Sequence, residues 1–144
     1  MKIGISACLL GRNCKYNGKN NFNASLCKLL EGHEIVPVCP ETFGGLPSPR
    51  TPCEIVDGKV IGKDGLDYTK NYMEGSQKAF DMIQDCDLII LQKRSPSCGN
   101  SQIYDGTFSG RLISGKGTFA QMLKELNISV LEADAEKKDY VFFY

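Results

Sequence analysis

The sequence is poor in histidine, has no tryptophan and carries no net charge. Its 144 residues include a single His, His33, while Lys plus Arg and Asp plus Glu each total 17. A single His excludes metal sites that need two imidazoles. Coating nucleic acid or an anionic membrane requires a large positive field, which a neutral chain lacks. We therefore expect neither a nucleic acid nor a membrane as the main partner.

Long apolar runs are also missing, since no stretch approaches the roughly 20 residues that span a membrane. Cys8 follows Ile5-Ser6-Ala7, which resembles a lipoprotein cleavage box. Only seven residues precede Cys8, however, and the apolar region of a signal peptide alone needs about 7–15. The sequence therefore predicts one cytoplasmic domain over 1–144, with its thiols reduced.

Cysteine is the abundant exception, with seven residues. An odd number cannot form a fully paired disulfide framework within one chain. There is no C-x-x-C pair of the kind that zinc fingers and ferredoxins use, and the closest two are Cys8 and Cys14. Ligands for any bound metal must therefore come from distant segments and meet through the fold.

Strand and helix patterns alternate along the chain. Strands are predicted over 2–6, 34–39, 87–91 and 128–131, and helices over 22–33, 68–84 and 119–126. This alternation predicts a single Rossmann-like α/β domain with a mainly parallel sheet and helices on both faces. Pro37 places the second strand at a sheet edge, and the expected strand order is 2-1-3-4.

Three further segments interrupt or follow this alternation. Residues 54–61 predict a small β-hairpin excursion with a turn at Asp57-Gly58. Residues 93–117 are rich in Gly and Ser and are predicted to form a loop. Residues 140–144 form an aromatic tail, which we expect to dock on the body of the protein or on a partner chain.

Three cysteines fall at or just beyond the carboxyl ends of three predicted strands: Cys8, Cys39 and Cys98. In a parallel sheet these ends lie on one side, where open α/β sheets bind ligands, so the three thiols should converge. They could instead be small residues that close tight turns. The carboxylate of Glu41 near Cys39 and nearby serine hydroxyls favour a site.

The remaining cysteines and the single histidine are placed differently. Cys27 and Cys86 lie beside predicted apolar faces and are expected in the core. Cys14 could approach the site as a fourth ligand, whereas the pattern does not place Cys53. His33 precedes the second strand, at the end of the sheet opposite the three thiols, so a Cys–His hydrolase is disfavoured.

Several motifs resemble one known family. They are Ser6-Ala7-Cys8-Leu9-Leu10-Gly11, Cys39-Pro40-Glu41, Gly44-Gly45-Leu46-Pro47 with Pro49-Arg50, Ser95-Pro96-Ser97-Cys98-Gly99, and Ile103-Tyr104-Asp105-Gly106. In this order, over roughly residues 3–132, the chain is similar to the thiouracil desulfidases, a family long catalogued as a domain of unknown function.

The resemblance implies a [4Fe–4S] cluster held by Cys8, Cys39 and Cys98, with one iron left open. It also implies that Glu41 and a serine, Ser95 or Ser97, act on the substrate. The implied substrate is a small thiolated base such as 2-thiouracil, converted without redox change to the oxo base and sulfide. Air should destroy such a cluster, so an aerobically prepared sample can lack it.

The sequence leaves the roles of three further residues and the alternative functions undecided. Cys14 and Cys53 are outside the family's ligand pattern, and Arg50 fits a site residue or a surface charge equally well. A cysteine persulfide sulfurtransferase or sulfur carrier is one alternative function, and a non-catalytic metal-binding module is another. The chain is expected to be a monomer or a homodimer.

Overall fold

The computed structural model describes residues 1–136, so the predicted aromatic tail at 140–144 lies outside the described residues. A 3₁₀ turn over Ala7–Leu10 accompanies eight strands and four helices. In chain order these are β1 (Lys2–Ser6), α1 (Ala24–Leu29), β2 (Glu34–Val38), α2 (Pro40–Phe43), β3 (Cys53–Val56), β4 (Lys59–Gly62), α3 (Thr69–Ile83), β5 (Leu88–Gln92), β6 (Gln102–Tyr104), β7 (Leu112–Ser114), α4 (Thr118–Glu125) and β8 (Leu131–Ala133).

A four-stranded parallel sheet forms the centre of the domain, in the order β2-β1-β5-β8. The predicted order 2-1-3-4 is therefore confirmed. Ile5 pairs with Pro37 on one side and Ile90 on the other, so the proline lies on an edge strand, where it interrupts no central ladder. The α/β class is confirmed with it.

Helices cover both faces of the sheet, as predicted. Alternate residues of β5 point to opposite faces, with Ile89 and Leu91 packed among residues of α3 and α4 and Ile90 packed against Leu9 and Leu30. Burial on both faces explains why this strand reads as a continuous apolar run. The two cores hold the sheet rigid beneath its carboxyl edge.

Two predicted boundaries are wrong. The first helix covers only 24–29, because the side chain of Asn23 accepts from the Leu26 amide and caps it, and Gly32 ends the following turn at φ 85°. Leu29 is 76% exposed, so the apolar pattern of this segment overstated its burial. The last strand begins at Leu131 rather than at 128, because Ile128 and Val130 instead pack against the core after α4.

Two antiparallel hairpins stand beside the sheet. The predicted hairpin is confirmed as β3–β4, with Asp57 and Gly58 both at positive φ, as a type I′ turn requires. The segment predicted as a loop over 93–117 contains the second hairpin, β6–β7. Each of its strands has only three residues, too short for a recognisable alternation.

Two glycines let α2 and α3 approach until their backbones touch. A Cβ at Gly75 would lie 1.7 Å from the carbonyl oxygen of Pro40, and one at Gly44 would lie 2.0 Å from that of Asn71. Any side chain at either position would push α2 away from the sheet edge. In residues 1–136, no helix combines the length and the apolar character needed to cross a membrane.

Candidate active site

A cavity of about 440 Å³ opens at the carboxyl edge of the parallel sheet. Ser6, Val38 and Gln92, which end β1, β2 and β5, all line it. Chain connections run from β1 towards β2 on one side and from β5 towards β8 on the other, so the cavity covers the point where the topology switches direction. Open α/β sheets bind ligands at such a point.

Five of the seven cysteines line this cavity: Cys8, Cys14, Cys39, Cys53 and Cys98. The three thiols predicted to converge are thus brought to one place, and Cys14 and Cys53 join them. Cys27 and Cys86 lie outside the cavity and are half-buried; Cys86 packs against the core as expected, whereas Cys27 is in no core cluster of the described residues. The thiol of Cys27 donates towards the Leu9 carbonyl at 3.7 Å.

Local structure positions each of the three thiols. Cys8 lies in the 3₁₀ turn after β1, where Asn21 Nδ2 donates towards its sulfur at 3.7 Å. Cys39 is the residue before the first turn of α2. The amide of Cys98 donates to Ser95 Oγ at 2.6 Å, closing a tight turn after β5. The three sulfur atoms therefore rest on a turn, a helix start and a second turn, all at strand ends.

Four of the cavity thiols, those of Cys14, Cys39, Cys53 and Cys98, have a raised pKa. Burial raises the pKa of Cys98 to about 12 and that of Cys53 to about 11. Contact with the Cys14 thiol, followed by burial, raises the pKa of Cys39. Contact with Cys39 lowers the pKa of Cys14, but Cys8 and burial outweigh it, and the result is a pKa of about 11.

A buried carboxylate, Glu41, forms the polar centre of the cavity. Arg50 donates to its Oε1 from Nε at 3.1 Å and from a terminal nitrogen at 2.9 Å, and the hydroxyl of Tyr72 donates to the same oxygen at 2.9 Å. The other oxygen, Oε2, accepts from the Ser97 hydroxyl at 2.7 Å. Burial and the nearby carboxylate raise the pKa of Tyr72, so it acts here as a neutral phenol.

Arg50 belongs to this site and is no surface charge, which settles the question that the sequence left open. Its side chain is only 5% exposed. Besides Glu41, its guanidinium donates to the carbonyls of Pro47 at 2.9 Å and Cys14 at 2.8 Å, and its amide donates to the carbonyl of Tyr16. Arg50 therefore ties the loop that carries Cys14 to the carboxylate.

The two candidate serines have different surroundings. Ser95 Oγ accepts from the Cys98 amide and lies 3.3 Å from Ser97 Oγ. Ser97 is 2% exposed and contacts both Glu41 and the sulfur of Cys98, the latter at 3.8 Å. Ser97 thus links the carboxylate to a cavity thiol, whereas Ser95 shapes the turn.

Sequence reasoning missed Tyr72 and Gln92, which also line the cavity. Tyr72 lies within the amphipathic pattern of α3 and Gln92 ends an apolar strand, so neither stands in a recognisable motif.

The single histidine lies away from the site, as expected. His33 Nδ1 lies 3.0 Å from the amino group of Met1, in an exposed position.

The cysteines of the cavity form a set of sulfur donors for a bound metal group. Within residues 1–136, no three or more His, Cys, Asp or Glu side chains are arranged to hold one metal ion. Tetrahedral zinc, with Zn–S of about 2.3 Å, needs its sulfurs packed tightly around one point. Thiolates are the usual ligands of iron–sulfur clusters, and Cys8, Cys39 and Cys98 line one cavity at the sheet edge, so the chemistry of the donor set fits such a cluster.

Comparison with known proteins agrees with the motifs. The family model described as 2-thiouracil desulfurase matches residues 3–135. The uncharacterized protein YbbK of Bacillus subtilis (strain 168) is 38% identical over 141 residues, which cover 90% of this chain and 93% of that protein.

A solved structure shares the fold as well as the sequence pattern. The [4Fe-4S]-dependent thiouracil desulfidase TudS (DUF523Vcz) superposes with a TM-score of 0.84 at 35% identity, covering 91% of this chain and 89% of the other. The resemblance seen in the motifs is thereby confirmed, and the chain belongs to the 2-thiouracil desulfurase family.

Proposed function

We propose that the protein is a [4Fe–4S]-dependent desulfidase. It exchanges the sulfur of a thiolated nucleobase such as 2-thiouracil for oxygen from water and releases sulfide, with no change of redox state. Membership of the 2-thiouracil desulfurase family and the likeness to TudS support this activity. The observation that carries it is the buried contact from Glu41 through Ser97 to Cys98, in the cavity that also holds Cys8 and Cys39.

In this proposal Cys8, Cys39 and Cys98 hold the cluster. A cubane with three thiolate ligands supplies one iron free of protein ligands, which acts as a Lewis acid towards the substrate sulfur. The raised pKa of the Cys39 and Cys98 thiols means that cluster loading would release protons, so assembly would be favoured as the pH rises. Cys14 contacts the thiols of Cys8 and Cys39 but is not assigned as a ligand.

Glu41 and Ser97 handle the proton of the attacking water. Three donor contacts from Arg50 and Tyr72 fix Oε1, which leaves Oε2 and the Ser97 hydroxyl as the movable pair. Water that attacks the thiolated carbon can pass a proton to this pair at Oε2. Positioned proton transfer of this kind contributes about 10²–10⁴-fold to a rate. Ser95 supports the turn beneath Ser97.

The proposed substrate is a small thiolated base rather than a nucleic acid. The cytoplasmic location and the monomeric or homodimeric state stay predictions.

Anaerobic reconstitution tests the proposal. Wild-type protein should bind iron and sulfide, absorb broadly near 400 nm and remove the thiocarbonyl absorbance of 2-thiouracil. Cys98→Ala should lose the cluster and at least about 100-fold in rate. Cys86→Ala is the matched control, because Cys86 is a half-buried cysteine outside the cavity, and it should keep both.

Glu41→Gln separates the proton-handling role from cluster binding. This variant should keep its iron content and lose about 100-fold in kcat. Unchanged activity in Cys98→Ala would refute the ligand assignment. Colourless wild-type protein that accepts persulfide sulfur, or that binds zinc without turnover, would favour the alternatives.

A further inference from the structure

The amide oxygen of Gln92 is a buried acceptor with no donor. Gln92 lines the cavity and is 5% exposed. Across residues 1–136, its Oε1 is the single buried side-chain nitrogen or oxygen atom that lacks a hydrogen-bond partner. Buried polar atoms are almost always paired, since an orphaned one destabilises the fold. An exception inside a cavity indicates that a ligand supplies the missing partner.

The orientation of this amide is fixed by its nitrogen. Nε2 donates to Asp134 Oδ1 at 2.7 Å and to the Lys93 carbonyl at 3.3 Å. Both partners are acceptors only, so the nitrogen rather than the oxygen must face them. Asp134 is itself held by Arg94 and by the Ala135 amide. Oε1 is therefore the branch of the amide that is left without a partner.

Gln92 also lies beside the proposed chemistry. Its backbone amide donates to Ser6 Oγ at 2.9 Å, and Ser6 lines the same cavity as Cys98. Ser6 and Gln92 end the two central strands, at the point where the topology switches. A ligand donor reaches Oε1 when the amide rotates about its last side-chain torsion, which is broad in glutamine, and this rotation releases Nε2 from Asp134 and from the Lys93 carbonyl.

A ligand that satisfies Oε1 must bring a hydrogen-bond donor. In 2-thiouracil the thiocarbonyl carbon stands between two N–H groups, at N1 and N3. We infer that Gln92 is a substrate-binding residue whose Oε1 accepts a hydrogen bond from an N–H adjacent to the thiocarbonyl. This inference rests on the proposed desulfidase function, and it restricts the substrates to thioamide-type rings with a free N–H beside the thiocarbonyl carbon.

Methylated substrates and a glutamine variant test the inference. Reconstituted wild-type protein should show kcat/KM for 1-methyl- or 3-methyl-2-thiouracil, whichever blocks the bonded N–H, lower than for 2-thiouracil by about tenfold or more. Gln92→Met should lose about tenfold on 2-thiouracil and nothing further on that methylated compound. Gln121→Met, at an exposed glutamine of α4, is the matched control and should behave as wild type.

Binding supplies a readout independent of turnover. Calorimetric titration with uracil, 1-methyluracil and 3-methyluracil should show the same preference in wild type and its loss in Gln92→Met, with iron content and circular dichroism unchanged.

The inference is overturned by wild-type protein that treats the three thiobases alike, a result that holds even if the variant misfolds. It is also overturned by Gln92→Met that keeps the wild-type preference. Fully loaded wild-type protein that turns over none of the thiobases would overturn the desulfidase function itself, and this inference with it. The absence of any basal rate distinguishes that outcome from failure of the Gln92 inference alone.

Discussion

The two ends of the parallel sheet both carry ion pairs, but in opposite environments. At the amino end, Lys2 lies 2.5 Å from Asp85 and 3.7 Å from Glu34, and the Asp85 side chain is 65% exposed. At the carboxyl end, the side chains of Arg50 and Glu41 are only 5% and 10% exposed.

The difference lies in how many partners each charge needs. Water solvates the exposed charges at the amino end, so they pair with each other and require little else. At the carboxyl end, Arg50 and Glu41 are surrounded by protein donors and acceptors, because an isolated buried charge would be costly. These partners fix the orientation of the two charged side chains. The candidate active site lies at this carboxyl end of the sheet.

Removal of the buried cation should give the largest effect. Arg50→Met leaves the Glu41 carboxylate buried with only hydroxyl donors, so the free energy of unfolding should fall by about 3–5 kcal/mol. Denaturant unfolding of the iron-free protein measures this.

Two further variants decide the cause of that loss. Arg111→Met, at an exposed arginine, should be neutral. The double variant Arg50→Met/Glu41→Gln should recover part of the stability. If its loss equals the sum of the two single losses, an uncompensated charge is not the reason.

A substitution that separates the α2 and α3 backbones should have the second-largest effect on stability. Gly75→Ala places a methyl group 1.7 Å from the Pro40 carbonyl, so α2 must shift and carry Glu41 with it. We expect a loss of about 3 kcal/mol in unfolding free energy, together with reduced iron loading. The control is Gly115→Ala, whose methyl group meets only the flexible side chain of Ile103, at 3.1 Å. Equal losses in the two variants would show that the close α2–α3 backbone contact does not determine the stability of the site.

Substitution of the exposed ion pair at the amino end of the sheet should change stability least. A hydrogen bond from Lys2 lowers the pKa of Asp85 below 3.8, and the same bond raises the pKa of Lys2 above 10.5. The Asp85 contribution is therefore present above pH 3.8 and lost as the pH falls through its folded pKa. The Lys2 contribution is present below pH 10.5 and lost as the pH rises through its folded pKa.

Near neutral pH both contributions are constant. Lys2→Ala should thus change thermal stability only slightly at pH 7, and salt of about 1 M should abolish the change. A large, salt-insensitive loss would erase the contrast between the two ends of the sheet.

The parts of the molecule that follow from local pattern could be predicted from the sequence. Strand ends in a parallel sheet share one edge, so the alternation of elements sufficed to bring Cys8, Cys39 and Cys98 together. The proline in β2 and the Asp57-Gly58 turn carry their own backbone preferences, and both were placed correctly.

The parts that depend on distant partners could not be predicted. Tyr72, 31 residues further along the chain in α3, donates a hydrogen bond to Glu41, and no neighbouring residue in the sequence indicates that contact. The second hairpin is paired over three residues only, and the first helix stops early at a cap and a glycine turn. In each case a specific tertiary or terminal contact outweighs the average preference of the segment.

The proposed cluster ligands Cys8, Cys39 and Cys98 each follow a different strand of the sheet, and this sets an order for folding and cluster binding. A zinc finger gathers its ligands locally and folds around its ion. In the proposed cluster site the thiols become neighbours only when β1, β2 and β5 have paired, so the chain must fold before it can bind the cluster. Loading would then follow folding.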